Sequence, residues 1–100
     1  MRMRTRGGYA YILASGRNGT LYIGVTSEIP SRMEQHRMGK GSQFVTKYKV
    51  FLLVWHEYHP LYASAIQRET SLKRWKRAWK IRLIEEMNPN WEDLLLTWNA

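Results

Sequence analysis

A chain of 100 residues accommodates one domain and one core, burying roughly two-thirds of the surface its unfolded form exposes. Its 16 Lys and Arg against 8 Asp and Glu leave a formal charge of +8 and a pI near 10.1, the footprint of a nucleic-acid binder, although anionic membranes attract such charge too. With no cysteine there is neither a disulfide framework nor a thiolate metal site, and no apolar run approaches the ~18 residues of a membrane span.

Met1 to Arg6 lacks the hydrophobic stretch of a signal peptide and reads as a short basic arm, so a reducing, cytoplasmic setting is the expectation. Tyr9 to Thr26 then carries a β-hairpin signal: two runs rich in tyrosine and aliphatic residues flank Gly16-Arg17-Asn18-Gly19, whose glycines and asparagine tolerate the positive φ of a reversal. The strand period of two puts Tyr9 and Tyr11 on one face, and closing the hairpin brings Tyr22 near Tyr11. Gly24 is expected to leave open space on that face.

Thr26 or Ser27 can cap a following helix, Glu28 suits its first turn, Pro30 is tolerated there, and Gly39 ends it. Ile29 and Met33 are its apolar positions, with Arg32 and His36 beside them one turn apart, both leaning towards the protein. Gly39 to Lys49 mixes small, basic and aromatic residues without a period and reads as a loop, whose Lys40 and Lys47 can reach phosphates. Val50 to Trp55 is a continuous apolar run of strand length, which places it at or close to the middle of the sheet. His56 and His59 follow, but no third ligand candidate lies near them, which argues against a metal site there.

From Leu61 to Met87 the pattern is helical, long enough that a break or kink is expected near Lys76 to Trp79. Ala65, Leu72, Trp79 and Leu83 trace an inward stripe widened by Ile66, Trp75 and Ile84, while Lys73, Arg74, Lys76 and their neighbours make a basic face. Glu69 falls on the inward stripe, where it needs Lys73 one turn on, an inward arginine such as Arg32, or a metal. Asn88-Pro89-Asn90 stops the helix, and Asn90 with Asp93 opens a short terminal helix through Leu96 that docks Trp91, Leu94 and Leu95 on the core.

Four features now align: a tyrosine hairpin ending Tyr22-Ile23-Gly24, the Arg32 and His36 pair, an inward Glu69, and a basic surface. Eleven positions separate Tyr11 from Tyr22, ten separate Tyr22 from Arg32 and four separate Arg32 from His36; together these resemble the GIY-YIG nuclease superfamily over roughly Tyr9 to Leu95. Leu21 to Thr26, Arg68-Glu69, Leu72-Lys73-Arg74-Trp75 and Asn88-Pro89 are similar to its small, stand-alone bacterial members. The chain departs in the first motif, where Tyr9-Ala10-Tyr11 replaces Gly-Ile-Tyr and keeps the reacting tyrosine.

The resemblance implies an α/β fold with a small, mainly antiparallel three-stranded sheet, strands near 9–15, 20–26 and 50–58, in a single nuclease domain over residues 1–100. It implies Glu69 as ligand of one Mg²⁺ or Mn²⁺, Arg32 as the phosphate fork, Tyr11 as general base, and Tyr22 and His36 as positioning water or taking part in proton relay, with the choice between the two tyrosines as base left open. Gly24 and Asn88 support the site, and Lys40, Lys47, Lys73, Arg74 and Lys76 bind the nucleic acid. A phenol ionises near pH ~10, so the base needs a neighbour that favours the phenolate or takes its proton. The implied protein is a metal-dependent endonuclease on DNA, flap, branched or single-stranded, in repair or recombination, acting as monomer or weak homodimer away from membranes. The alternatives are a catalytically idle nucleic-acid-binding module, told apart by salt-sensitive binding without metal-dependent nicking, and a membrane or partner element on the Trp75 and Trp79 helix.

Overall fold

The computed structural model describes residues 7–98; the basic arm of residues 1–6 lies outside them. Strand β1 (Gly8–Ala14) runs antiparallel to β2 (Leu21–Thr26) and to β3 (Leu52–His59), giving the sheet order β2-β1-β3. Helices α1 (Ile29–Arg37) and α2 (Gln43–Tyr48) lie between β2 and β3; α3 (Tyr62–Arg74), α4 (Arg77–Met87) and a 3₁₀ turn (Leu94–Thr97) follow β3. The central strand is therefore β1 and not the apolar run of β3, which stands at an edge.

The period of two along β1 builds a core on each face of the sheet. Ala10, Ile12 and Ala14 join Ile23, Val54, Trp55, Leu72, Ile84 and Trp91 on one side, while Tyr11 and Leu13 join Ile29, Met33, Val45, Val50 and Leu53 on the other. The β1/β3 register slips between Ile12 and Leu13, which face Trp55 and Leu53, so Val54 is an extra residue. This bulge turns Val54 and Trp55 to the same face, where both pack in the first core.

The outer edge of β3 is closed by the C-terminal segment. Asp93 Oδ1 accepts from the Leu53 N–H at 3.3 Å, and Asn88 Nδ2 donates to the Val54 carbonyl at 3.2 Å. The opposite carboxylate oxygen of Asp93 pairs with Arg37 at 3.0 Å. Asp93, not Asn90, caps the last turn, accepting from the Leu95 N–H at 3.1 Å. An edge strand whose backbone groups are met in this way can be apolar throughout, which is why its sequence reads as central.

Other local expectations shift for physical reasons. The segment read as a loop contains α2, opened by Ser42 accepting from the Val45 N–H and closed by Lys49 in the left-handed region. In the hairpin connection the positive φ is at Asn18 (56°), not at the glycines, and Arg77 fastens the turn by donating to the carbonyls of Asn18 and Gly19, each at 2.7 Å. No side chain caps α1; Thr26 Oγ1 instead accepts from the Glu28 N–H at 3.1 Å, and Gly39 with φ 78° follows the helix as a chain reversal. The long helical stretch breaks at Trp75 and Lys76, both extended with ψ near 150°, which resets the helical phase, although Leu72 of α3 and Leu83 and Ile84 of α4 still meet in the first core. Trp79, just beyond the break, is accordingly 47% exposed rather than core, and Ile66, within α3, is 41% exposed on the outer side of its helix.

Candidate active site

Tyr11 sits on the central strand, 1% exposed, with its ring laid across the hairpin partner Gly24. A β-carbon at Gly24 would overlap the phenol, so the space expected there is filled by Tyr11 itself. The Tyr11 hydroxyl meets Nε2 of His36, from α1, at 3.0 Å. His36 is 2% exposed, and its Nδ1 is the one buried side-chain polar atom among the described residues without a hydrogen-bond partner. The Gly41 backbone lies against that nitrogen, where a β-carbon would crowd the imidazole.

Burial raises the pKa of Tyr11 well above the ordinary phenol range, helped by the adjacent Tyr22; Arg32 works in the opposite direction, and Glu69 and Tyr62 add smaller upward pushes. Burial also lowers the pKa of His36, and the Arg32 charge lowers it further. At neutral pH both members are uncharged. The phenol is the better donor and the imidazole nitrogen the better acceptor, so Tyr11 O–H donates to Nε2 and the ring proton resides on Nδ1.

Around this pair stand three further groups. Tyr22 on β2 is half-buried, its ring centroid 6.4 Å from Tyr11 and 5.6 Å from His36. Arg32, one turn before His36 on α1, is partly buried and has no ion pair among the described residues. Glu69 on α3 has a side chain 15% exposed and pairs with Lys73 at 2.8 Å, a partner whose own side chain is 54% exposed. The fold thus brings Tyr11, Tyr22, Arg32, His36 and Glu69 to one place from β1, β2, α1 and α3. Tyr62 joins them from the start of α3, its ring packed over Gly8. It stands seven residues, two helical turns, before Glu69, and that spacing was the available signal for it.

With this geometry in view, residues 7–82 are found to match the GIY-YIG catalytic domain. The chain belongs to the GIY-YIG family. It is 32% identical over 82 residues to a UPF0213 protein of Streptococcus sanguinis, covering 82% of this chain and 93% of that protein. A UPF0213 protein of Staphylococcus aureus is 31% identical over 78 residues, covering 78% and 94% respectively. The solution NMR structure of the UPF0213 protein BH0048 from Bacillus halodurans superimposes with a TM-score of 0.54 at 28% identity, covering 87% of this chain and 92% of that one. GIY-YIG proteins are a nuclease family acting on nucleic acid, generally with a divalent metal.

Glu69 is the carboxylate that acts on Tyr11 from α3, and no group of three or more His, Cys, Asp or Glu able to hold a metal occurs among the described residues. A mostly buried carboxylate whose one ionic partner among the described residues is an exposed lysine fits a hard cation that keeps most of its waters. Of the basic residues, Lys40, Lys47, Lys73, Arg74 and Lys76 are all exposed; Lys73 is held by Glu69, and Lys76 lies 5.6 Å over the Trp79 ring. Asn88 lies apart from the reacting groups. Its amide donates to Val54 and Glu92 carbonyls and accepts from the Glu92 N–H, so its support is to the sheet edge. Likewise His59 pairs with Glu57 at 2.8 Å, and His56 packs edge-on against Trp98. No helix among the described residues is long and apolar enough to cross a membrane.

Proposed function

We propose that this GIY-YIG protein is a divalent-metal-dependent endonuclease that hydrolyses DNA phosphodiester bonds. The observation that carries the reading is the buried Tyr11–His36 hydrogen bond, with the Arg32 guanidinium, which has no ion pair among the described residues, and the Glu69 carboxylate both acting on Tyr11. A phenol held this far above its ordinary range does not work as a preformed phenolate. It works as a relay: water attacking phosphorus gives a proton to the Tyr11 oxygen as Tyr11 passes its own to His36 Nε2. The new P–O bond forms as the leaving P–O bond breaks, the leaving oxygen takes its proton from solvent, the phenol is regenerated, and the attacking water's proton rests on imidazolium.

Arg32 gives that relay its timing. Its charge helps to hold His36 neutral before substrate arrives, and a phosphate engaged by its guanidinium fork offsets that charge. His36 therefore becomes a better proton acceptor when a scissile phosphate is in place. Tyr22 orients the water. Glu69 would hold the cation, which supplies Lewis acidity at the phosphoryl and leaving oxygens. The basic residues carry the strand through phosphate contacts, and residues 1–100 act as a single cytoplasmic domain, monomer or weak homodimer, in DNA repair or recombination.

The test incubates end-labelled single-stranded, duplex, flap and branched DNA with Mg²⁺, Mn²⁺ or EDTA, beside Glu69→Gln and Arg32→Gln. Cleavage that needs metal and is lost in both variants is the expected result. Salt-sensitive binding with no cleavage of any substrate would refute it in favour of a binding module.

A further inference from the structure

A line of aromatic rings leaves the site through the helix read from sequence as a loop. Tyr22 is stacked on Phe44 of α2, centroids 6.2 Å apart and planes 29° from parallel, and Phe44 meets Tyr48 at 4.8 Å. Phe44 is 41% and Tyr48 46% exposed, while α2 is held to the core by Val45, which is fully buried. The two rings are therefore spared from the packing that fixes their own helix. Lys47 places its ammonium 5.3 Å over the Tyr48 ring, and Lys40 and Lys49 bracket the helix, all exposed. Between Glu34 and Glu57 the chain has no acidic residue at all.

We infer that Phe44 and Tyr48 form a stacking site for nucleobases flanking the phosphate held at Arg32. The inference rests on the nucleic-acid reading of the neighbouring site. Flat, exposed rings alternating with cations and beginning at Tyr22 match the chemistry of unpaired bases on a polyanionic strand, since every base offers a π-face and every linkage a phosphate. A purely apolar partner would leave the lysines unmatched, and a bare polyanion would leave the rings unmatched.

Fluorescence anisotropy in EDTA separates the two contributions, with labelled oligothymidylate compared against an abasic deoxyribose-phosphate strand of equal length. The wild-type protein should bind the base-bearing strand more tightly. Phe44→Leu with Tyr48→Leu, which keeps apolar bulk and removes the π-faces, should erase that advantage, a loss of about 5- to 150-fold for each stacked base, and leave abasic binding unchanged. Lys47→Gln should weaken both strands alike. Equal wild-type binding of the two strands, or an advantage that survives the double leucine variant, would overturn the inference. So would a wild-type dimer that the leucine variant dissociates without any change in base-dependent binding, since the face would then serve self-association. Should circular dichroism show the leucine variant unfolded, Phe44→Trp decides: its added fluorescence is quenched by oligothymidylate and not by the abasic strand if bases stack there, and by neither if they do not. A protein that never cleaves yet shows the advantage would remove the nuclease reading and keep the stacking site; cleavage without the advantage would remove the stacking site alone.

Discussion

Tyr11→Phe removes one oxygen from the most enclosed polar contact of the site. Tyr11 and His36 are 1% and 2% exposed, and His36 Nδ1 already lacks a partner, so the variant leaves both ring nitrogens buried and unbonded. An orphaned buried polar atom costs about 1–3 kcal/mol, whereas replacing both partners by apolar groups of similar shape is close to neutral. Tyr11→Phe should therefore lower the unfolding free energy by about 1–3 kcal/mol, and adding His36→Leu should recover part of that loss instead of adding to it. Urea unfolding followed by tryptophan fluorescence measures the cycle. Cleavage should fall about 10²–10⁴-fold in each single variant and no further in the double, because one proton path is lost either way. Purely additive stability losses, or a Tyr11→Phe enzyme of wild-type activity, would refute the relay.

Gly24→Ala should mimic that loss of cleavage from the neighbouring strand, because its β-carbon takes the place of the phenol; overpacking should also cost about 1–3 kcal/mol in urea unfolding. Burial lowers the folded pKa of both His36 and His56, so each contributes stability that is present above the unfolded value of ~6.5 and is lost as pH falls through it towards the folded value. Urea midpoints should accordingly drop between pH ~7 and pH ~5 by more than those of a His36→Leu protein. Because Arg32 helps to lower the His36 pKa, Arg32→Gln should move the NMR titration of the His36 ring to higher pH. Asp93→Ala deprives the Leu53 and Leu95 amides and Arg37 of their acceptor, and should cost about 1–3 kcal/mol while leaving the Tyr11–His36 pair intact, read by denaturation alongside nicking of DNA.

The hairpin and its tyrosine face were legible because Tyr9 and Tyr11 alternate with Ala10 and Ile12 and because Gly16 to Gly19 supplies the residues of a reversal. Helix α2 was not, because six residues anchored by one buried valine carry no period; Ser42, three residues before Val45, was its sequence signal. The place of β3 was misread because an apolar run records coverage, not neighbours, and the coverage comes from a bulge and from side chains some forty residues away. Trp79 was misassigned because two extended residues reset the helical phase between α3 and α4. Within the site, residue types and spacings pointed to Tyr11, Tyr22, Arg32, His36 and Glu69. The Tyr11–His36 bond, the closeness of Gly41 to the imidazole and the approach of Tyr62 depend on contacts between distant segments that no local pattern encodes.

The Asp93 and Asn88 bonds to β3 also set an order of events in the life of the chain. Leu53 and Val54 precede the side chains that satisfy them by 40 and 34 residues. At about 5–20 residues per second, a ribosome makes β3 roughly 2–8 seconds before its cover. For that interval an apolar strand with open backbone groups is exposed to any other unfinished sheet, the condition under which strands pair between chains. The segment thus acts as a latch on the sheet, shielding the β3 edge from pairing with other strands once it is in place.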